Sequence, residues 1–232
     1  DLKWHPLYLV TGKLAITSLI VAGVSVTAGE RPEEPVDLSL PQLPKWFTLI
    51  DAWIKKLKVN RLTYRASDSE PLIVKDISAT VLLDRGTLFV NALNVQSPYG
   101  GAKGSASINL VRPALQARLT AALPEKIAGI DTISVDARFP SSRGKEQIAG
   151  PLVVRAFSEK QEGLSLRCTV GVSPQAIRVS NAKVSRKDAG GTIEAQGTLD
   201  FSGKEPAFTF SAKIVGLDIG PETKVKTDIS GD

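Results

Sequence analysis

The sequence predicts an all-β protein of antiparallel strands, either two packed sheets or an elongated, curled antiparallel β-sheet groove, a repeating taco-like sheet, carrying one short amphipathic helix. Three observations lead there. Apolar and polar residues alternate through most of the chain from Leu14 onward, the mark of strands with one buried face. Turn residues punctuate these runs at short intervals. One apolar signature recurs four times, inside a longer unit that itself recurs.

The window from Leu14 to Ala28 is the greasiest, but Thr17, Ser18, Gly23, Ser25 and Thr27 interrupt it, so it reads as strand and not as a membrane span. Residues 31–44 carry Pro32, Pro35, Pro41 and Pro44 among acidic and polar residues and read as an extended connector. From 45 to 57 the pattern changes. Trp46, Leu49, Ile50, Trp53, Ile54 and Leu57 recur at helical spacing while Lys45, Asp51, Lys55 and Lys56 lie off the stripe, which predicts an amphipathic helix of about three turns with Pro44 at its start. Beyond it, Ile77, Ala79, Val81 and Leu83 alternate with Ser78, Thr80 and Leu82, while Ala106, Ile108 and Leu110, then Leu115, Ala117 and Leu119, alternate with polar neighbours. Leu164 through Val172, Ile193 and Ala195 leading to Leu199 and Phe201, and Phe208 through Ile214 follow the same rule. The separating turns are Asp84-Arg85-Gly86, Pro98 to Gly101, Arg112-Pro113, Ser173-Pro174, Asp188 to Gly191 and Ser202-Gly203-Lys204. Roughly a dozen strands result.

The short signature, L-x-V-x-x-L-x-V in outline, occurs as Leu14, Ile16, Leu19, Val21; as Leu57, Val59, Leu62, Tyr64; as Leu88, Val90, Leu93, Val95; and as Ile177, Val179, Ala182, Val184. Its middle step is three residues, so a flat strand would throw the second pair onto the opposite face. A β-bulge, one extra residue, restores both pairs to one side. The longer unit spans about 77–119 and recurs at about 166–212, which predicts one continuous repeating segment over 1–232.

Composition excludes much chemistry. The 232 residues include one His, one Cys and no Met, so disulfides and Cys/His metal sites within the chain are ruled out and no metal or cofactor is expected. The missing Met suggests a piece of a longer polypeptide. His5, the only imidazole, stands in a Trp4-His5-Pro6 turn with no nucleophile in a recognisable setting, and the expectation is that the chain is not an enzyme. Cys168 sits on the apolar parity of its strand and reads as a small buried hydrophobe. Glu33-Glu34 lies in the connector, where nothing would raise a pKa. The charge of +5, from 29 basic and 24 acidic residues, is scattered, so no nucleic-acid partner is expected.

What remains is a repeating one-sided aliphatic surface. Periodicity leaves two arrangements open and leans slightly to the first: a two-sheet sandwich whose apolar faces bury one another, or a curled, unclosed sheet with an apolar trough inside.

The residues Trp4-x-Pro6-Leu7-x-Leu9-x-x-Gly12-x-Leu14-x-Ile16-x-x-Leu19-x-Val21-x-Gly23-Val24-x-Val26 resemble a segment of TamB-like proteins, the inner-membrane subunit of the translocation and assembly module, within the AsmA-like superfamily of bridge-like lipid transfer proteins. Leu40-Pro41, Leu43-Pro44, Leu57-x-Val59-x-x-Leu62-x-Tyr64 and Gly104-x-Ala106-x-Ile108-x-Leu110 follow the order seen there. The likeness is one of pattern and covers most of the chain. The 45–57 helix departs from the family, where that place is shorter and less helical.

The resemblance implies a membrane-proximal fragment of a periplasmic protein of the Gram-negative envelope, anchored to the inner membrane by an N-terminal helix outside this sequence. Its expected role is to shield phospholipid acyl chains in a hydrophobic β-groove during transport towards the outer membrane. The alternative is a scaffold assisting assembly of outer-membrane β-barrel proteins with a TamA-type partner, reached through regions outside this sequence. On the conduit reading, Leu57, Val59, Leu62, Val81, Leu83, Leu88, Val90, Leu93, Val170, Val172, Val179, Phe208 and Phe210 line the groove. The stripe Trp46, Leu49, Ile50, Trp53 and Ile54 either caps the groove mouth or touches the membrane, with Lys55, Lys56 and Lys58 against phosphates; a stripe of this kind more often packs against its own protein.

Overall fold

The computed structural model describes residues 1–5, 11–27, 37–40, 42–65, 71–127, 129–142, 147–159, 161–187, 191–203, 206–218 and 224–231. Residues 31–36 and Pro41 of the predicted connector, Pro6, and the turn residues Asp188, Ala189, Gly190 and Lys204 lie outside these. The strands are β1 (Leu2–His5), β2 (Lys13–Val21), β3 (Val24–Thr27), β4 (Asp51–Arg65), β5 (Leu72–Asp84), β6 (Thr87–Ser97), β7 (Gly100–Asn109) and β8 (Ala114–Ile127). They continue with β9 (Ile130–Phe139), β10 (Ile148–Ser158), β11 (Gln161–Val172), β12 (Ala176–Arg186), β13 (Thr192–Asp200), β14 (Ala207–Asp218) and β15 (Lys224–Gly231). The fold class is all-β, built from open ladders that curl without closing. The chain divides into two units, Asp1–Pro32 with Pro41–Pro124 and Glu33–Leu40 with Glu125–Asp232.

The predicted helix is not there. Lys45–Leu49 forms a single 3-10 turn, closed by the Thr48 hydroxyl donating to the Lys45 carbonyl at 2.7 Å, and strand β4 begins at Asp51. The reason is visible in the register. Ile16 pairs with Ile54, and Leu19 with Leu57, so Ala52, Ile54, Leu57 and Val59 repeat the three-residue middle step of Leu14, Ile16, Leu19 and Val21. A strand with that step imitates helical spacing over a short window, and sheet pairing on both sides decides between the two.

In the first unit the ladder runs β1-β2-β4-β5-β6-β7-β8, with β3 pairing the latter part of β4. The antiparallel rule has one exception: β2 and β3 both pair with β4 in parallel. Parallel neighbours need a crossover of about a dozen residues or more, and the stretch between Thr27 and Asp51 provides it. In the second unit β9 through β15 pair in chain order, all antiparallel.

The bulges fall where the signature requires them. Val90 faces Ala106 and Leu93 faces Gly104, so three residues on β6 span two on β7, and Ala92 takes a φ of 50°. Likewise Val179 faces Gly197 and Ala182 faces Ala195, with Asn181 at 52°. A left-handed residue in the bulge is one of the ways the extra residue is absorbed, though glycine is its usual occupant. At the second copy, the step from Val59 to Leu62 is matched on β5 by the step from Ile77 to Val74, across Asp76 at 49°.

Each strand packs chiefly on its ladder neighbours. Among the described residues no large side chain is fully buried, and the buried apolar residues are mostly alanines and other short side chains. Among the described residues no second sheet covers either unit's apolar face, so the sandwich arrangement is not adopted.

Candidate functional site

The apolar face of the second unit is assembled by register. Ala137 faces Leu152, which faces Cys168; Val170 faces Val179 and Val172 faces Ile177. Leu199 faces Phe208, and Gly197 faces Phe210. Directly opposed residues share a face of the sheet, so alternate positions of β9 to β14 form one surface. Its best-covered part is Cys168, Val170 and Ala182, with Leu152, Leu166 and Val179 packed around them. Burial pushes the Cys168 thiol up from its ordinary pKa, as expected for a thiolate that would have to leave water.

Towards β14 the cover thins into a trough of about 460 Å³ lined by Ile177, Val179, Ala195, Gly197, Leu199, Phe208 and Phe210, with the Gln196 strand segment at its edge. The two phenyl rings stack at 5.5 Å with planes 17° apart. Gly197 lies beneath the pair, where a Cβ would sit 2.9 Å from the Thr209 carbonyl oxygen, so the close approach of β14 to β13 here requires glycine. The rings thus lie against bare backbone and remain open to solvent, Phe208 at 55% and Phe210 at 39%.

The first unit presents a matching face. Leu57, Val59 and Leu62 on β4 oppose Ala79, Ile77 and Val74 on β5. Val81 opposes Val90 and Leu83 opposes Leu88 on β6, and Leu88, Val90 and Leu93 oppose Ile108, Ala106 and Gly104 on β7. All of these aliphatics are half-buried except Ala79, which is buried.

Charge is kept off both faces. Lys58–Asp76 at 3.9 Å, Arg138–Asp136 at 3.4 Å, Arg155–Glu162 at 3.7 Å and Lys183–Glu194 at 3.9 Å sit on the opposite side of the ladders. His5 ends β1 in an exposed position.

The sequence-predicted groove residues therefore fall on one face in each unit: eight in the first, and Val170, Val172, Val179, Phe208 and Phe210 in the second. The predicted stripe of Trp46, Leu49, Ile50, Trp53 and Ile54 is not brought together. Trp46 and Leu49 are on the 3-10 turn, Ile50 follows it, and Trp53 and Ile54 are consecutive on β4 and so point to opposite faces. Ile177, Ala195, Gly197 and Leu199 line the trough but are not among the groove residues expected from sequence; Ile177, Ala195 and Leu199 carry the apolar parity that is the available signal, and a glycine under an aromatic pair has none. No protein-family model, curated protein or solved structure matches the chain.

Proposed function

We propose that the chain is a segment of a lipid conduit, in which acyl chains lie along the apolar faces and are shielded from water while they move. The observation that carries this reading is the uncovered trough of the second unit, where two stacked phenyl rings stay exposed beside half-buried aliphatics, while the Arg138–Asp136, Arg155–Glu162 and Lys183–Glu194 pairs lie on the other side of the ladder. An acyl chain of about fifteen methylenes loses on the order of 12 kcal/mol on full exposure to water, and a one-sided wall offsets about half of that. Many similar shallow contacts favour sliding over trapping. The reading needs no catalytic group. The pattern resemblance to TamB-like proteins supports phospholipid as the cargo and the periplasm, with an inner-membrane anchor in the full-length protein, as the setting.

The test is mass spectrometry of lipid released on denaturing the purified protein, together with crosslinking to a photoactivatable fatty acid. Phe210→Asp is the informative variant. Val170 is only 9% exposed, and a carboxylate buried there would cost several kcal/mol in its own right, whereas position 210 leaves the charge access to water. The expected result is crosslinking in the wild type that falls at least about tenfold in Phe210→Asp, a change of about 1.4 kcal/mol. Unchanged crosslinking in a folded variant would overturn the proposal.

A further inference from the structure

A second surface lies in the first unit at the ends of the strands where β4 begins. Residues 43–49 run across these ends. The Leu43 N–H donates to the Leu110 carbonyl at 2.7 Å, the Thr48 methyl lies against Gly86, and the Leu49 carbonyl lies beside Gly12. The hairpin turns beneath are fastened to one another, since the Leu110 N–H donates to the Gly86 carbonyl at 2.9 Å. Two backbone hydrogen bonds and these packing contacts thus hold the rim together.

Its exposed composition is unusual for a water-facing rim. Trp46 is 56% exposed, and Leu49 at 79% is the most exposed large apolar residue among those described. The elements that end here also bring cations: Lys13 at the start of β2, Lys45 in the 3-10 turn, Arg85 between β5 and β6, and Arg112 between β7 and β8, all exposed. The carboxylates of the same rim are Asp51 and Asp84. Arg85 and Asp84 stand 4.0 Å apart with both side chains in water, a pair too wet to cancel the local field. Four cations against two carboxylates leave the rim positive.

We propose that this rim docks on a bilayer carrying anionic lipid headgroups, with Trp46 and Leu49 entering the interface and Lys13, Lys45, Arg85 and Arg112 facing the phosphates. An indole prefers the headgroup level because one edge is apolar and the other polar. Basic residues within a Debye length of an anionic leaflet each strengthen binding about fivefold, and combining an apolar anchor with basic charge is how a peripheral surface holds a membrane. A second copy docking rim to rim would set cations against cations, which argues for a lipid surface. The proposal does not rest on the conduit reading.

The test is co-sedimentation of the full chain with vesicles of phosphatidylcholine mixed with phosphatidylglycerol, against phosphatidylcholine alone. Binding is expected to the mixed vesicles and to weaken with added salt. Trp46→Ser with Leu49→Ser, and separately Arg85→Glu with Arg112→Glu, are each expected to lower the affinity at least about tenfold. Tyr99→Ser, an exposed aromatic at the opposite strand ends, is expected to leave it unchanged. Far-ultraviolet circular dichroism checks the fold of each variant, and fatty-acid crosslinking in the trough, expected unchanged in the rim variants, separates failure here from failure of the conduit reading. Absence of binding to the mixed vesicles, equal binding to neutral vesicles, insensitivity to both rim pairs, or self-association abolished by the Trp46 and Leu49 changes would each overturn the proposal.

Discussion

Replacing Ala92 by Gly tests the bulge on which the apolar faces depend. Ala92 has a φ of 50° and an exposed side chain, so trimming its methyl group removes little packing. A non-glycine residue in the left-handed region costs about 1–2 kcal/mol, and Gly relieves that. Gly also has more backbone freedom to lose on folding, about 0.5–1 kcal/mol. The two leave a net gain of roughly 0.5–1 kcal/mol for Ala92→Gly. An ordinary strand position would show the opposite sign, a loss of about 0.5–1 kcal/mol. Asn181 occupies the equivalent place on β12 at 52°, but Asn tolerates this conformation better than Ala, so Asn181→Gly is expected to gain less than Ala92→Gly. Urea unfolding with a shared m-value resolves differences of this size as shifts in midpoint. A lower midpoint for Ala92→Gly at unchanged m would refute the bulge at Ala92, and with it the account of how Val90 and Leu93 reach one face.

Three further outcomes are expected. Gly104→Val should destabilise the first unit by about 2 kcal/mol or more, because a Cβ there would run into the Arg118 carbonyl and lie 2.9 Å from the Leu119 Cα; a neutral urea midpoint would contradict that close approach. Native Cys168 should resist a thiol reagent that labels it freely in urea, since it is buried and its thiol is held above its usual pKa, and labelling at the rate of a free thiol would show the face to be open there. The turn between β10 and β11 should loosen at both pH extremes. The Lys126 ammonium on Glu159 and the Glu159 N–H on Asp131 lower those carboxyl pKa values and raise that of Lys126. The carboxylates contribute above their unfolded pKa values and lose that as pH falls through the folded ones; Lys126 contributes below its unfolded pKa and loses that as pH rises through the folded one. After correction for intrinsic exchange, protection of the Glu159 amide should therefore peak between these limits, and a flat profile would contradict the arrangement.

Much of the fold was legible because period-two patterning is a local signal. Ile77 through Leu83 and Leu166 through Val172 declare a face without reference to anything distant. The bulges were legible for the same reason, since Val90-Asn91-Ala92-Leu93 breaks parity by one residue. The helix error at 45–57 shows the limit. Ile54, Leu57 and Val59 fit both a helical stripe and a bulged strand, and only pairing with Ile16 and Leu19, nearly forty residues earlier, distinguishes them. Parallel pairing of β2 with β4 was equally invisible, because a sequence carries no mark of strand direction. The trough was half legible: Phe208 and Phe210 stood out, while the part played by Gly197 depends on which residue of another strand lies over it.

Because strands within a unit touch little beyond their ladder neighbours, stability there is closer to a chain of nearest-neighbour couplings than to one indivisible core. Damage at one strand pair is felt mainly by the next, and cooperativity should decay along the ladder. A hairpin could be gained or lost by duplication or deletion without repacking its distant neighbours, each one lengthening the ladder by roughly 10 Å. The period of about 90 residues, with Ala92 and Asn181 bulged alike and Gly100 and Gly191 at φ 120° and 124°, is the kind of trace such growth leaves. For an architecture of this type, reach is set by counting strands, and chemistry enters only through which side chains are placed along one face.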